Sequence, residues 1–313
     1  MSLGKPLRTG AKVASRPNET ARKEARFAWL LLTPALIAFL AVAFVPILRT
    51  LWLSLHDYRL NRPGQETFVG LRNYIDLFTN PEGHLLNGLW ATVRFTVASV
   101  GIELVLGIAI ALLLHQTFWG RGAVRASVLI PWAIPTAISG LMWKFMFDDR
   151  LGLFNELLLR VGLIDSYQAW LGDPTTAWMA IVAADVWKMT PFVALLILAG
   201  LQVIPFDIYE AARVDGASAW TTFLRITLPL LKPSILVVLV FRTIDSFRAF
   251  DIIFVMTGGA SGTETAAVYA YKTMMRYLDF GNGSAISVIL FICVLAINFF
   301  YVKVLGASLG KEA

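Results

Sequence analysis

Six runs of this 313-residue chain, at 28–50, 89–115, 123–147, 177–203, 234–256 and 284–305, carry few or no charges. Each is about 20 residues long or more, and a helix of about 20 apolar residues crosses the roughly 30 Å hydrocarbon core of a bilayer. Only 15% of the residues are charged, too few to cover a soluble domain of this size with a polar surface. The runs therefore predict an all-α, polytopic membrane protein with six transmembrane helices.

Charge places the ends. Residues 1–26 carry Lys5, Arg8, Lys12, Arg16, Arg22, Lys23 and Arg26. The apolar run after them is too long for the core of a cleavable signal, so the basic segment is expected to stay in the cytoplasm. With six crossings both termini are cytoplasmic. The segments then inside hold Arg121, Arg125, Arg213, Arg225, Lys232, Lys303 and Lys311 besides those seven; the longer outer loops hold only Arg59, Arg62, Arg72, Arg150, Arg160, Lys272 and Arg276. The predicted organisation is a basic segment at 1–26, a transmembrane domain at 27–306 with a cytoplasmic loop at about 204–233, and a tail at 307–313, in the cell membrane. The net charge of +6 reads as this inside bias and contact with anionic lipid, not as a nucleic-acid surface. A single cysteine, Cys293, excludes an internal disulfide, and no metal site is expected. His56, His84 and His115 read as interfacial residues.

Within the outer loop, Phe68–Phe78 has the spacing of a short amphipathic helix on the interface. Pro131 and Pro135 fall inside the third run and Pro191 inside the fourth, predicting kinked helices. Ionisable residues at membrane depth cost at least about 2.5–3.5 kcal/mol unless paired or wet, which marks each as a site candidate. They are Arg94, Glu103, Asp185, Lys188, Arg242, Asp245, Arg248 and Asp251. Asp185 and Lys188 share a helical face, and the fifth run alternates sign every three residues. Arg242, Asp245, Ser246 and Ala249 form one i, i+3, i+4, i+7 stripe. Lys188, Met189 and Phe192 lie beside the Pro191 kink. These seven are the candidate lining of a solute path. Each cation has its acid by spacing, so such a lining suits a neutral, polyhydroxylated solute, whereas a phosphorylated one would want uncompensated cations. The competing reading is that the pairs neutralise one another and lock helices together.

The stretch "EAARVDGASAWTTFLRITLPLLKP", Glu210 to Pro233, interrupts this apolar chain. It predicts a short amphipathic helix from about Asp207 to Ala217, broken at Gly216, and a second helix capped near Ser218 that runs toward Pro229. Two helices joined at a glycine make a rigid projection. The spacing of Glu210-Ala211-Ala212, Gly216 and Ile226-Thr227-Leu228-Pro229 resembles the EAA---G---------I-LP motif of ABC-importer membrane subunits. With "GLRNY", "IPWAIP", "VWKMTPF" and "FVMTGG", the chain is similar to permeases of the maltose/trehalose and glycerol-3-phosphate type over about residues 25–306. Through "DGASAW" and "FRTIDSFRAFD" it looks most like the first permease of actinobacterial trehalose importers.

The resemblance implies one half of a translocation pathway, not itself catalytic, for a disaccharide such as trehalose or maltose. Its implied partners are a second homologous permease, two copies of a cytoplasmic ATPase that binds ATP and Mg, and an extracytoplasmic solute-binding protein. Glu210, Ala211, Ala212, Asp215 and Gly216 would dock the ATPase. The chain has no G-x-x-x-x-G-K-[ST] phosphate loop, so no cofactor is expected here. Glycerol-3-phosphate or another sugar is an alternative solute. An ion-coupled secondary transporter using Asp185 or Asp245, and an intramembrane enzyme with a Ser246–Lys188 dyad, are rivals of other classes.

Overall fold

The computed structural model describes residues 19–62 and 64–304; the expected tail at 307–313 and most of the basic N-terminal segment lie outside them. The chain divides into a unit ending at Thr50 and a unit from Leu51 onward. The described part of the first unit is helical, its last helix running on to Ser54. α1 (Glu19–Phe39) passes through a π turn at Leu40–Phe44 into α2 (Val45–Ser54). Phe27 to Leu48 contains no charge, and Trp29, Leu31, Ile37 and Val42 are exposed on it, a surface suited to lipid contact.

In the second unit, α3 (Arg72–Thr79) is the amphipathic helix expected of the first loop. It is pinned by Asn73, whose amide donates to the carbonyls of Ser54 at 2.9 Å and His56 at 3.0 Å. One detail departs from an all-α chain. β1 (His56–Asp57) and β2 (Thr67–Phe68) pair antiparallel, with His56 opposite Phe68 and Asp57 opposite Thr67.

Two long helices form the centre: α4 (His84–His115) and α8 (Pro174–Val203) pack along one another. Small residues permit this. Gly88, Ala91, Ser99, Gly107 and Ala111 are buried on α4, and Ala177, Ala180, Ala184 and Ala194 on α8. A Cβ on Gly107 would collide with Val193. Close approach of this kind replaces the hydrophobic drive that lipid cannot supply. α8 starts cleanly because Asp173 accepts hydrogen bonds from the backbone N–H groups of Thr175 and Thr176, with Pro174 at the first helical position.

The third and fifth runs are not single helices. α5 (Arg121–Ala133) and α6 (Thr136–Met146) meet at 90°. Ile134 is extended because it precedes Pro135, so Pro135 ends a helix where a kink was expected. After α7 (Leu153–Arg160) and α8 come α9 (Phe206–Val214) and α10 (Ala219–Thr222), a π turn at Phe223–Thr227, and α11 (Leu228–Leu230). The chain then bends by 64° into α12 (Lys232–Phe247). The predicted run 234–256 breaks at Arg248–Phe250, and α13 (Asp251–Thr257) is a separate helix. α14 (Ala266–Met275) and α15 (Phe280–Val304) complete the fold, packed on each other. By length and composition, four helices among the described residues can each cross a membrane, and six crossings result if each bent pair counts as one.

Candidate functional site

The ionisable residues at membrane depth converge. Arg242 on α12 is 1% exposed and Glu103 on α4 is fully buried. Arg242 Nε and Nη2 donate to the two Glu103 oxygens at 2.6 and 2.8 Å, a bidentate fork. Nη2 also reaches Asp185 at 3.1 Å and Ser246 Oγ at 3.0 Å, and Nη1 reaches Asp245 at 2.6 Å. One guanidinium thus clasps carboxylates from α4, α8 and its own helix.

This arrangement corrects the pairing expected from spacing. Asp185 serves Arg242 rather than Lys188. Lys188 Nζ instead donates to the carbonyls of Ile134 and, at 3.4 Å, Trp132. Those carbonyls lie at the α5–α6 break, where the helix supplies no further N–H donors, and an ammonium at a helix C-terminus also suits the dipole. Among the described residues Arg248 and Asp251 form no ion pair, and neither Lys188 nor Arg248 has a carboxylate within salt-bridge reach. The sign alternation in the fifth run therefore yields one pair, Arg242 with Asp245, because the helix stops at Phe247.

A cavity of about 510 Å3 opens beside the clasp. The α5–α6 elbow from Trp132 to Thr136 forms one wall; Asp185, Lys188 and Met189 of α8 form another; Asp245, Ser246 and residues 248–252 close it. Ala249 lines the cavity from the non-helical break and so does not extend a helical stripe. Asp245 has half its side chain exposed. Phe192 and Arg242 border a neighbouring cavity of about 360 Å3, which shares Trp132, Met189, Asp245 and Arg248 with the first. Trp132 stacks on Phe192 with centroids 5.8 Å apart. The seven sequence candidates thus divide between two adjoining cavities.

The interrupted stretch folds as a tight elbow. Gly216 has φ of +74°. Its N–H donates to Arg213 O at 3.1 Å and that of Ala217 to Ala212 O at 2.9 Å, the Schellman pattern that favours glycine after a helix end. Ser218 Oγ caps α10 by accepting from Thr221 N–H. Thr227 Oγ1 donates to the Tyr209 hydroxyl at 3.4 Å across the elbow. Glu210, Ala211, Asp215 and Gly216 are exposed, whereas Ala212 is buried. Val214 and Trp220 are 87% and 68% exposed, adding an apolar component to this polar surface.

Residues 103–307 match the family described as "Binding-protein-dependent transport system inner membrane component". The chain belongs to this family. As a family member it is an inner-membrane component. It is 46% identical over 283 residues to the trehalose/maltose transport system permease protein MalF of Thermococcus litoralis, covering 90% of this chain and 94% of that one. It is 40% identical over 301 residues to the trehalose transport system permease protein SugA of Mycobacterium tuberculosis, covering 96% and 92%. In fold it matches a chain of a bacterial alginate ABC transporter crystallised with an alginate pentasaccharide-bound periplasmic protein. The TM-score there is 0.79 at 21% identity, over 91% of this chain and 96% of that chain.

Two residues around this family member's cavities were left out of the predicted lining: Glu103, marked only as a charge at membrane depth, and Trp132. Glu103 stood out as an intramembrane carboxylate with no basic residue three or four positions away on its own helix, which signals a partner elsewhere without naming it. Trp132 carried no signal beyond the neighbouring prolines.

Proposed function

We propose that this chain is the permease subunit of an ATP-driven ABC sugar importer and forms half of the translocation pathway for a disaccharide such as trehalose or maltose. The observation that carries the reading is the exposed α9–α10 elbow bearing the EAA motif, on a chain with no phosphate loop of its own. In this reading Glu210, Ala211, Ala212, Asp215 and Gly216 seat in a cytoplasmic ATPase, which binds ATP and Mg. The chain itself is not catalytic. It crosses the membrane six times with both termini in the cytoplasm, residues 27–306 forming the transmembrane domain. Its further partners are a second permease, a second ATPase copy and an extracytoplasmic binding protein.

The disaccharide follows the names of the relatives at 46% and 40% identity, and the cavity chemistry agrees with it. Charge does not separate the solutes in the way spacing implied. Arg242 engages Asp185 and Asp245, while Lys188 and Arg248 line the larger cavity with no carboxylate in salt-bridge reach among the described residues. The preference over glycerol-3-phosphate therefore rests on the relatives and on the groups that follow. Half-exposed Asp245 offers acceptors to hydroxyls, and the partly exposed Trp132 and Phe192 offer apolar faces for sugar rings. An ion-coupled transporter is less favoured, because Asp185 and Asp245 are both engaged by Arg242.

Reversing the charge of one exposed residue tests the reading. Glu210→Lys should leave the chain inserted and folded, yet abolish ATPase co-purification and trehalose or maltose uptake in reconstituted vesicles. Normal uptake with normal ATPase retention would remove the docking assignment.

A further inference from the structure

Arg94 lies in the first third of α4, ten positions after His84 and so about 15 Å along the helix axis. Its side chain is exposed on the helix surface, five residues and so roughly 7.5 Å after the start of the apolar run 89–115. Among the described residues no carboxylate pairs with it. Glu264 borders the same polar cavity but is bound to Lys272 at 2.5 Å. Two indoles flank the guanidinium instead, with Cζ 6.0 Å from the Trp90 ring and 5.8 Å from the Trp178 ring. Trp178 is fixed by its own N–H, which donates to Gly262 O at 3.1 Å.

Arg94 also stands where two cavities of opposite character meet. On one side a cleft of about 440 Å3 is walled by Phe95, Ala98, Trp178, Met179 and Val182. On the other a cavity of about 400 Å3 is bordered by His84, Asn87 and Glu264. The order along the surface is apolar cleft, cation between two tryptophans, polar cavity. A phospholipid has the same order: acyl chain, phosphate, polar head. Paired indoles at this level are also typical of the membrane–water interface.

We propose that Arg94 binds the phosphate of a membrane phospholipid, with an acyl chain in the cleft beneath Trp178 and the head in the cavity beside His84. The site is separate from the solute cavity and does not depend on which solute that cavity carries. Arginine suits the task because its fork pairs with two phosphate oxygens at once, while the indole faces add cation–π contact.

The assembled importer, purified into detergent after reconstitution with phosphatidylglycerol, would be compared by native mass spectrometry with its Arg94→Gln and Arg94→Lys variants. The expected result is loss of one tightly retained phosphatidylglycerol in Arg94→Gln and weakened retention in Arg94→Lys, which keeps the charge without the fork. Diacylglycerol, which has the tails without the phosphate, should not replace it, and inorganic phosphate should not displace it. Equal lipid retention by wild type and Arg94→Gln overturns the proposal. So does displacement by inorganic phosphate, or a cross-link from Arg94→Cys to the partner permease showing that protein covers this face.

Discussion

Truncating Glu103 to alanine would leave Arg242 buried with one fewer carboxylate and a void in place of its bidentate partner. Breaking a buried charge pair by removing one member costs about 3–5 kcal/mol. Glu103→Ala is therefore expected to fall sharply in detergent thermal stability, and Glu103→Gln, which keeps an acceptor, to fall less; equal stability of all three proteins would count against the clasp. Asp245 is different. It is half-exposed, and its loss leaves Arg242 held by Glu103 and Asp185. Asp245→Asn should assemble normally and lose about tenfold or more in uptake, the scale of one charged hydrogen bond to a hydroxyl. Wild-type uptake by this variant would make the residue purely structural. Deleting Arg242 together with Asp245 cannot separate these roles, since Glu103 and Asp185 would remain buried without their cation.

Among the elements, Gly216 and Gly107 fail in different ways. Gly216 needs its positive φ, yet a Cβ there would meet nothing within 4 Å. Gly216→Leu should cost only the strain of a left-handed residue, about 1–3 kcal/mol. On the proposed function, the subunit would insert and assemble with a second permease while ATP hydrolysis and transport become uncoupled, read as ATP consumed per sugar imported; unchanged coupling would make the glycine incidental. Gly107 sits against Val193 between α4 and α8, so a side chain there would part the two central helices. The α5–α6 elbow has its own support in Lys188, which holds carbonyls that the break leaves open.

At the scale of the whole molecule, the lone Cys293 gives a direct test of topology. A Cys293→Ser chain has no cysteine, and single cysteines can then be introduced at loop positions. With six crossings and cytoplasmic ends, Ala217→Cys should be labelled by an impermeant maleimide only from the cytoplasmic side, and Gln65→Cys only from outside. Both labelled from one side would require that a bent pair turn back within the membrane instead of spanning it. Either topology is compatible with the observed bends of 90° and 64°, because a broken helix can reach depth and return when its freed backbone lines a cavity.

Elements with strong local causes are legible in the amino-acid order alone. Apolar length set the long helices, the amphipathic spacing around Arg72 set α3, and the glycine and serine of the EAA stretch set a turn whose Schellman bonds and cap are local. The order also marked which charges lie at membrane depth. Their partners were decided only in three dimensions. Spacing along one helix favoured Asp185 with Lys188, but a bidentate fork to Glu103 and a second reach to Asp185 make Arg242 the stronger partner. Lys188 was then drawn to carbonyls that exist as free acceptors only because α5 stops before Pro135. Likewise the stop of α12 at Phe247 removed Ala249 from a helical face while leaving it on the cavity wall. A helical period extrapolates geometry within one element; it carries no information about where helices break or which neighbour a buried charge will meet.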